Sequence, residues 1–288
     1  MSLYRTASAT DAGSSPSSLR RQHRDGRLVR LRRGAYVAPE TRTPAELHRL
    51  QIDAAVPFLG DHSVFSHISA AVLHGLPVMR GRLERVTVIR PSGGYSSAYL
   101  HSRKASLDAD EVCLVDGLRV TTLARTVEDL ASTLPFREGL ACADAALARG
   151  LGSDVLRPRG KFRARIKRVA LSADGRAESP GESFSRALMI ETCLPTPKLQ
   201  YEVRDPRGSF IGRTDFAWPE LGVLGEFDGR VKYDGSLGGS VTPADIIMRE
   251  KEREARLRDA GFTVVRWGWD ALMRPGVLER RLRQALSS

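Results

Sequence analysis

Cysteine is scarce and scattered. A chain of 288 residues holds three, Cys113, Cys142 and Cys193. They are odd in number, far apart and never spaced CxxC, which excludes a disulfide framework and a zinc knuckle. A reducing, cytoplasmic compartment is the expectation. Long hydrophobic runs are missing as well. No stretch approaches the ~18 apolar residues of a membrane helix, so no membrane association is expected. The opening MSLYRTASATDAGSSPSS lacks the apolar core of a secretory signal, and none is expected. Aromatics make up only 6%. No RNP-type aromatic motif appears, which counts against sequence-specific reading of RNA. Acidic side chains are outnumbered, 34 Asp and Glu against 45 Lys and Arg, for a formal net charge of +11. Such an excess favours a polyanionic partner, because phosphates attract a basic surface and release their counterions on contact.

A hydrophobic fraction of 41% supplies packed cores. The length suggests two or three domains at roughly 100–200 residues each. Ser15-Pro16 is a helix start, and a short helix through His23 follows. Asp25-Gly26 is a turn dipeptide. Residues 28–31 and 34–37 then read as two short strands, so helix plus tight hairpin predicts the end of a winged helix-turn-helix over residues 1–42. Seven arginines fall within residues 20–33 against one Asp. Arg20, Arg21, Arg24, Arg27, Arg30, Arg32 and Arg33 are the candidate nucleic-acid contacts, with backbone contacts setting position and base contacts setting preference. The alternative is a solvated basic hairpin in a packing module.

Residues 43–155 read as an α+β middle domain. Thr43-Pro44 with Glu46 forms a capping-box signature for a helix over 43–59. Residues 64–76 predict a second helix ending at Gly75. His67 and His74 lie seven apart on it, hence on one face; a metal would need a third ligand, so packing histidines are expected. Strands are expected at 83–89, near 99–101 and at 118–121, with helices over 126–134 and 138–149. Arg125 and Asp129 sit at i, i+4 spacing for a structural ion pair. RPRGKFRARIKR over residues 157–168 carries seven positive charges, and residues 156–180 read as a basic linker.

The final domain, residues 181–288, has the order αβββαβ: a helix from Glu182 to Cys193, strands at 198–203, 210–218 and 223–228, a helix over 243–260, and a strand at 262–267. If the second and third strands form a hairpin, Asp215 and Glu226 approach each other, and Asp228 shares a strand face with Glu226. Three carboxylates on one sheet repel unless a cation sits among them, and oxygen donors suit Mg2+ or Mn2+. Such an ion would polarise a phosphate and activate water. Lys232, four residues on, would hold phosphate or assist the water. Acids are depleted in strands, whereas Phe216, Trp218, Leu224 and Phe227 mark these strands as core-forming.

At these residues a family resemblance enters. GRTDFAWPELGVLGEFDGRVKY followed by REKEREARLRDAGFTVVRW resembles the very-short-patch-repair-like endonucleases of the PD-(D/E)XK superfamily. The resemblance implies a restriction-endonuclease-like α/β domain with a mixed sheet. It assigns Asp215, Glu226 and Asp228 as metal ligands, Arg253 as the helix arginine, Arg266 as the strand-end arginine and Glu182 as the acid of the first helix. Lys232 stands where the family has His, and Asp228 occupies the Lys position of the (D/E)-x-K triplet. RDGRLVRLRRGAYV, FSHISAAVLHGLP and VTTLARTVEDLA resemble AbiEi-type antitoxin proteins, which implies a promoter-binding winged helix. Three functions follow as expectations: a Mg2+-dependent DNA endonuclease, a non-catalytic DNA-binding regulator or antitoxin that retains a nuclease fold, and an RNA-directed nuclease or binder. Oligomeric state is left open.

Overall fold

Ser15 begins the first helix where the sequence places a cap: its Oγ accepts the Ser18 amide at 3.1 Å, and Pro16 occupies the first turn, where a missing N–H costs nothing. The computed structural model describes residues 3–5, 15–158, 160–229 and 243–287. The chain forms two units, Met1–Cys142 with Leu151–Leu171, and Ala143–Gly150 with Ser172–Ser288.

In the first unit, helix α1 (Pro16–Arg24) is followed by strands β2 (Val29–Arg32) and β3 (Ala35–Val37), with β1 (Leu3–Arg5) added on the free side of β3 in the order β1-β3-β2. The third strand was not expected. Gly34 at φ +81 makes the tight turn between β2 and β3. Leu19, Leu28 and Tyr36 form one small core. The opposite face, Leu31, Ala35 and Val37, packs on Leu50 and Ala54 of α2 (Pro44–Ala55). Residues on both sides of position 42 therefore share one core. The expected capping box is present: Thr43 Oγ1 accepts the Glu46 amide at 3.2 Å, and Glu46 Oε2 accepts the Thr43 amide at 2.7 Å. A single 3-10 turn, Val56–Phe58, ends this segment.

The helix expected from residue 64 starts later. Val64–Phe65 is strand β4, and α3 spans His67–Leu73. β4 pairs antiparallel with β5 (Val86–Arg90) and parallel with β9 (Leu118–Thr121). It is an interior strand of a six-stranded sheet whose order is β6-β7-β5-β4-β9-β8, with β6 Tyr95–Ser96, β7 Leu100–Lys104 and β8 Val112–Val115. Ile52, Phe65, Val86, Val88 and Val120 form its core. Helices α4 (Leu123–Thr133), α5 (Phe136–Leu147) and α6 (Arg163–Ser172) follow. α6 lies within the stretch expected to be a linker, and its Ile166 and Val169 are buried.

The second unit keeps the expected order and adds two helices: α7 (Pro180–Glu191), β10 (Lys198–Arg204), β11 (Phe210–Trp218), β12 (Val223–Phe227), α8 (Pro243–Asp259), β13 (Thr263–Trp267), α9 (Trp269–Met273) and α10 (Val277–Leu286). The sheet, β10-β11-β12-β13, is mixed, with β12 and β13 parallel and the other pairs antiparallel. Ala217 and Leu224 pack on Leu257 of α8. On the other face Phe216 stacks on Trp267, centroids 5.4 Å apart, and Trp267 Nε1 donates to Ser185 Oγ of α7 at 2.8 Å. Among the described residues no helix is long and apolar enough to cross a membrane.

Candidate functional site

The basic segment makes a groove. α1, the β2–β3 turn and the 3-10 turn after α2 surround a cavity of about 640 Å3 lined by Pro16, Arg20, Arg30, Arg33, Gly34, Tyr36 and Phe58. Three arginines border it with no carboxylate in the lining. Such an arrangement concentrates positive potential and suits phosphate oxygens. Arg20, Arg30 and Arg33 are exposed, as are Arg21, Arg24 and Arg27. Arg27 stands 3.9 Å from Asp25. Arg32 departs from the expectation. A register shift between Arg30 and Arg32 accompanies a half-buried side chain, which lies over the Phe58 ring at 4.1 Å and bonds Ala54 O at 3.4 Å. It is held by packing and does not line the groove. Phe58, 61% exposed just past α2, and Tyr36 were not singled out from the sequence.

The acids of the second unit do come together in part. β11 and β12 form the expected hairpin, with Phe216 opposite Gly225, so Asp215 and Glu226 come next in line. Asp215 Oδ2 accepts the Phe227 amide at 2.7 Å. Burial pushes the Asp215 carboxyl up to about 6 against that hydrogen bond, and the charges of Glu182, Glu226 and Glu178 add to the shift. Glu182, buried in α7, accepts from Ser179 Oγ at 2.7 Å, from the Glu178 amide at 2.9 Å and from Gln200 Nε2 at 2.9 Å. Gln200 was missed by sequence reasoning. It lies in β10 between Leu199 and Tyr201, which pair with Phe216 and Thr214, and so falls beside Asp215. Its φ of +51 is rare for a residue with a side chain and costs of order 1–3 kcal/mol.

Glu226 is already neutralised. Its carboxylate meets Arg253 of α8 and accepts from Arg266 Nε at 2.8 Å. Burial alone would raise its pKa, yet the two guanidiniums hold it below the ordinary range. Arg253 also reaches Glu250, and Arg266 reaches Glu250 and Glu254. Asp228 is exposed just past the end of β12, its amide bonded to Trp267 O at 2.8 Å. Among the described residues no three ligating side chains gather closely enough to hold a metal ion. The donors in place do not fit Mg2+ held by Asp215, Glu226 and Asp228, because arginines satisfy Glu226. Lys232 lies outside the described residues.

A buried polar cluster stands in the first unit. Arg125 Nε pairs with Asp129 Oδ1 at 3.0 Å, as its spacing predicts, and Nη1 with Glu111 at 2.8 Å. His67, buried at φ +50, lies 3.6 Å from Asp129. Burial pushes its pKa down to about 3, helped by Arg103 and Arg125. His74 bonds Thr121 O at 2.7 Å. The two histidines thus serve different neighbours.

Residues 5–39, which carry the arginine groove's hairpin and helix, match the family model described as "Transcriptional regulator, AbiEi antitoxin". Over 277 residues the chain is 32% identical to the uncharacterized proteins MT2308 and Rv2248 of two Mycobacterium tuberculosis strains, a match that spans 92% of this chain and 94% of each relative. With alignment over nearly its full length, the chain belongs to the same family as these two mycobacterial proteins, and its N-terminal segment is similar to AbiEi antitoxin transcriptional regulators.

Proposed function

We propose that the protein is a DNA-binding transcriptional regulator of the antitoxin type, which holds duplex phosphates on the α1–hairpin module. The observation that carries this reading is the acid-free groove bordered by Arg20, Arg30 and Arg33, built from the segment that resembles AbiEi regulators. α1 would lie along the groove of the duplex and the β2–β3 hairpin would act as a wing. Phosphate contacts of this kind give affinity and register, and each neutralised phosphate adds about 0.9 to the slope of log affinity against log salt. The test is fluorescence anisotropy with the protein's own promoter duplex from 50 to 300 mM salt. Replacing Arg20, Arg30 and Arg33 together by Gln is expected to lower the slope by about 2.7 and weaken binding across all duplex sequences. An unchanged slope sinks the reading.

A second reading, DNA cleavage by the C-terminal unit, rests on Asp215. A half-buried carboxyl pushed up to about 6 among Glu182 and Glu226 is a common mark of functional sites. The sequence resemblance assigns these same residues to a nuclease centre. Plasmid cleavage that is lost in Asp215→Ala, assayed with and without a divalent cation because the donors in place do not fit Mg2+, would carry it. No cleavage alongside intact binding would leave the unit as a scaffold.

A further inference from the structure

We propose that α6, with Lys161 just ahead of it, is a second phosphate-binding surface of the first unit and lies against the backbone of duplex DNA. The inference deepens the regulator reading by adding a contact outside the arginine groove. It rests on that reading for its partner and on none of the groove's residues.

Residues 155–173 contain no Asp or Glu. Lys161, Arg163, Arg165, Lys167 and Arg168 are all exposed, and among the described residues none of them meets a carboxylate. Arginines on other helices are answered: Arg49 by Asp53 and Asp116, Arg125 by Glu111 and Asp129, Arg283 by Glu279. Acids on α4 and α5, the helices α6 packs on, are already engaged. Arg82 holds Glu138 at 3.0 Å, Arg125 holds Asp129 at 3.0 Å, and Glu128 accepts the Arg157 amide at 2.6 Å. In lacking a carboxylate, α6 resembles the groove of Arg20, Arg30 and Arg33.

The charges work against the helix that carries them. Arg163 and Arg165 fall in the first turn, which has no acid, where the macrodipole is positive and favours anions. Arg163 and Lys167 stand one turn apart, and like charges at that spacing destabilise a helix. A polyanion laid on this side removes both penalties and releases its counterions on contact. The apolar side of α6 is spent on the unit, with Ile166 and Val169 buried. Arg165 donates to Leu134 O at 2.6 Å and Arg168 lies over the Phe136 ring at 3.8 Å, so these two also brace the helix. Lys161 lies over its neighbour Phe162 at 5.2 Å. Arg163 and Lys167 have no such task and stand open to phosphate. A helix that lies on a membrane gives its apolar face to the lipid. Here that face is turned to the core, and the exposed Leu171 does not replace it. A phosphodiester backbone fits the free side and a bilayer does not.

The test repeats the anisotropy salt series with the full chain and with Lys161, Arg163 and Lys167 replaced together by Gln. The same change is also added to the Arg20, Arg30 and Arg33 triple. A control replaces Arg207, Arg274 and Arg281 of the second unit by Gln, all exposed and equal in charge. The α6 triple is expected to lower the slope of log affinity against log salt by about 2.7 in both backgrounds. The control is expected to leave the slope unchanged, and the α6 triple to unfold at no lower a temperature than wild type. A slope lowered by the groove triple alone overturns the α6 proposal and leaves the regulator's groove standing. A slope lowered by the α6 triple alone does the reverse. If neither triple lowers it, both fail. An equal loss in the control assigns the effect to net charge, and a lower Tm assigns the cations to the fold; either result overturns the proposal. Sedimentation with vesicles of phosphatidylserine and phosphatidylcholine checks the other polyanionic surface. Vesicle binding lost in the α6 triple, with duplex binding unchanged, overturns the choice of partner.

Discussion

Asp215 carries a testable consequence at the scale of one side chain. An unfolded Asp titrates near ~3.9, whereas burial raises this one to about 6 in the folded state. The native state therefore holds its proton more tightly than the unfolded one. Stability from this group is greatest below its unfolded pKa and falls as pH rises through about 6. Asp215→Asn removes the ionisation while leaving an oxygen for the Phe227 amide, so it should raise Tm at pH 7.5 more than at pH 4.5. Asp129 of the other unit is also pushed up to about 6 by burial and has the same sign, so the difference between variant and wild type is what counts. An equal Tm change at both pH values would refute the assignment. The sequence located Asp215 and Glu226 because acids interrupt otherwise apolar strands. It could not show that Arg253 and Arg266 close on Glu226, since the three groups come from β12, α8 and β13. Nor could it show the positive φ of Gln200, which nothing in local composition signals.

Elements follow the same logic one level up. The strands of the second unit were legible almost to the residue: 210–218 was expected and β11 spans Phe210–Trp218. Alternating burial and the Pro-Glu-Leu-Gly turn mark such strands in the chain itself. β4 was not legible. Val64 and Phe65 continue into an apolar run of helical spacing, and only their pairing with β5 and β9, distant in sequence, makes them a strand. Register also dictates where small residues must go. Gly225 of β12 lies under Trp267 and Phe216; a Cβ there would stand 2.7 Å from the Trp267 ring and 3.1 Å from Phe216 Cβ. Both neighbours are fully packed, with Trp267 tied to Ser185, so the sheet has no room to adjust. Gly225→Ala is expected to destabilise the second unit by about 1–3 kcal/mol through overpacking, measured as a lower urea midpoint. A neutral result would mean that the Phe216–Trp267 stack shifts freely.

At the scale of the molecule, the limit of sequence reading is that a unit need not be one stretch of chain. The last domain was expected at 181–288 behind a linker, yet Ala143–Gly150 belongs to the second unit as well. No local composition marks this, because residues 143–147 simply continue α5. The chemistry of the connection is a buried ion pair. Asp144, with its side chain fully buried, meets Arg186 Nη1 of α7 at 2.8 Å, and Asp144 Oδ1 accepts the Asp174 amide at 2.8 Å. Burial raises the Asp144 pKa, and Arg186 pulls it back. Arg186 is also buried and its second nitrogen is spent on the Ser172 carbonyl. Removing the carboxylate leaves a guanidinium without its counter-charge in a site water barely reaches, and such losses cost about 3–5 kcal/mol. Asp144→Ala should therefore lower the stability of the second unit by that order, although position 144 lies far upstream of its sheet. Hydrogen exchange of β10–β13 amides would read this directly. Faster exchange there in the variant ties residues 143–150 to the second unit's stability, whereas unchanged exchange would mean that α7 holds Arg186 without them.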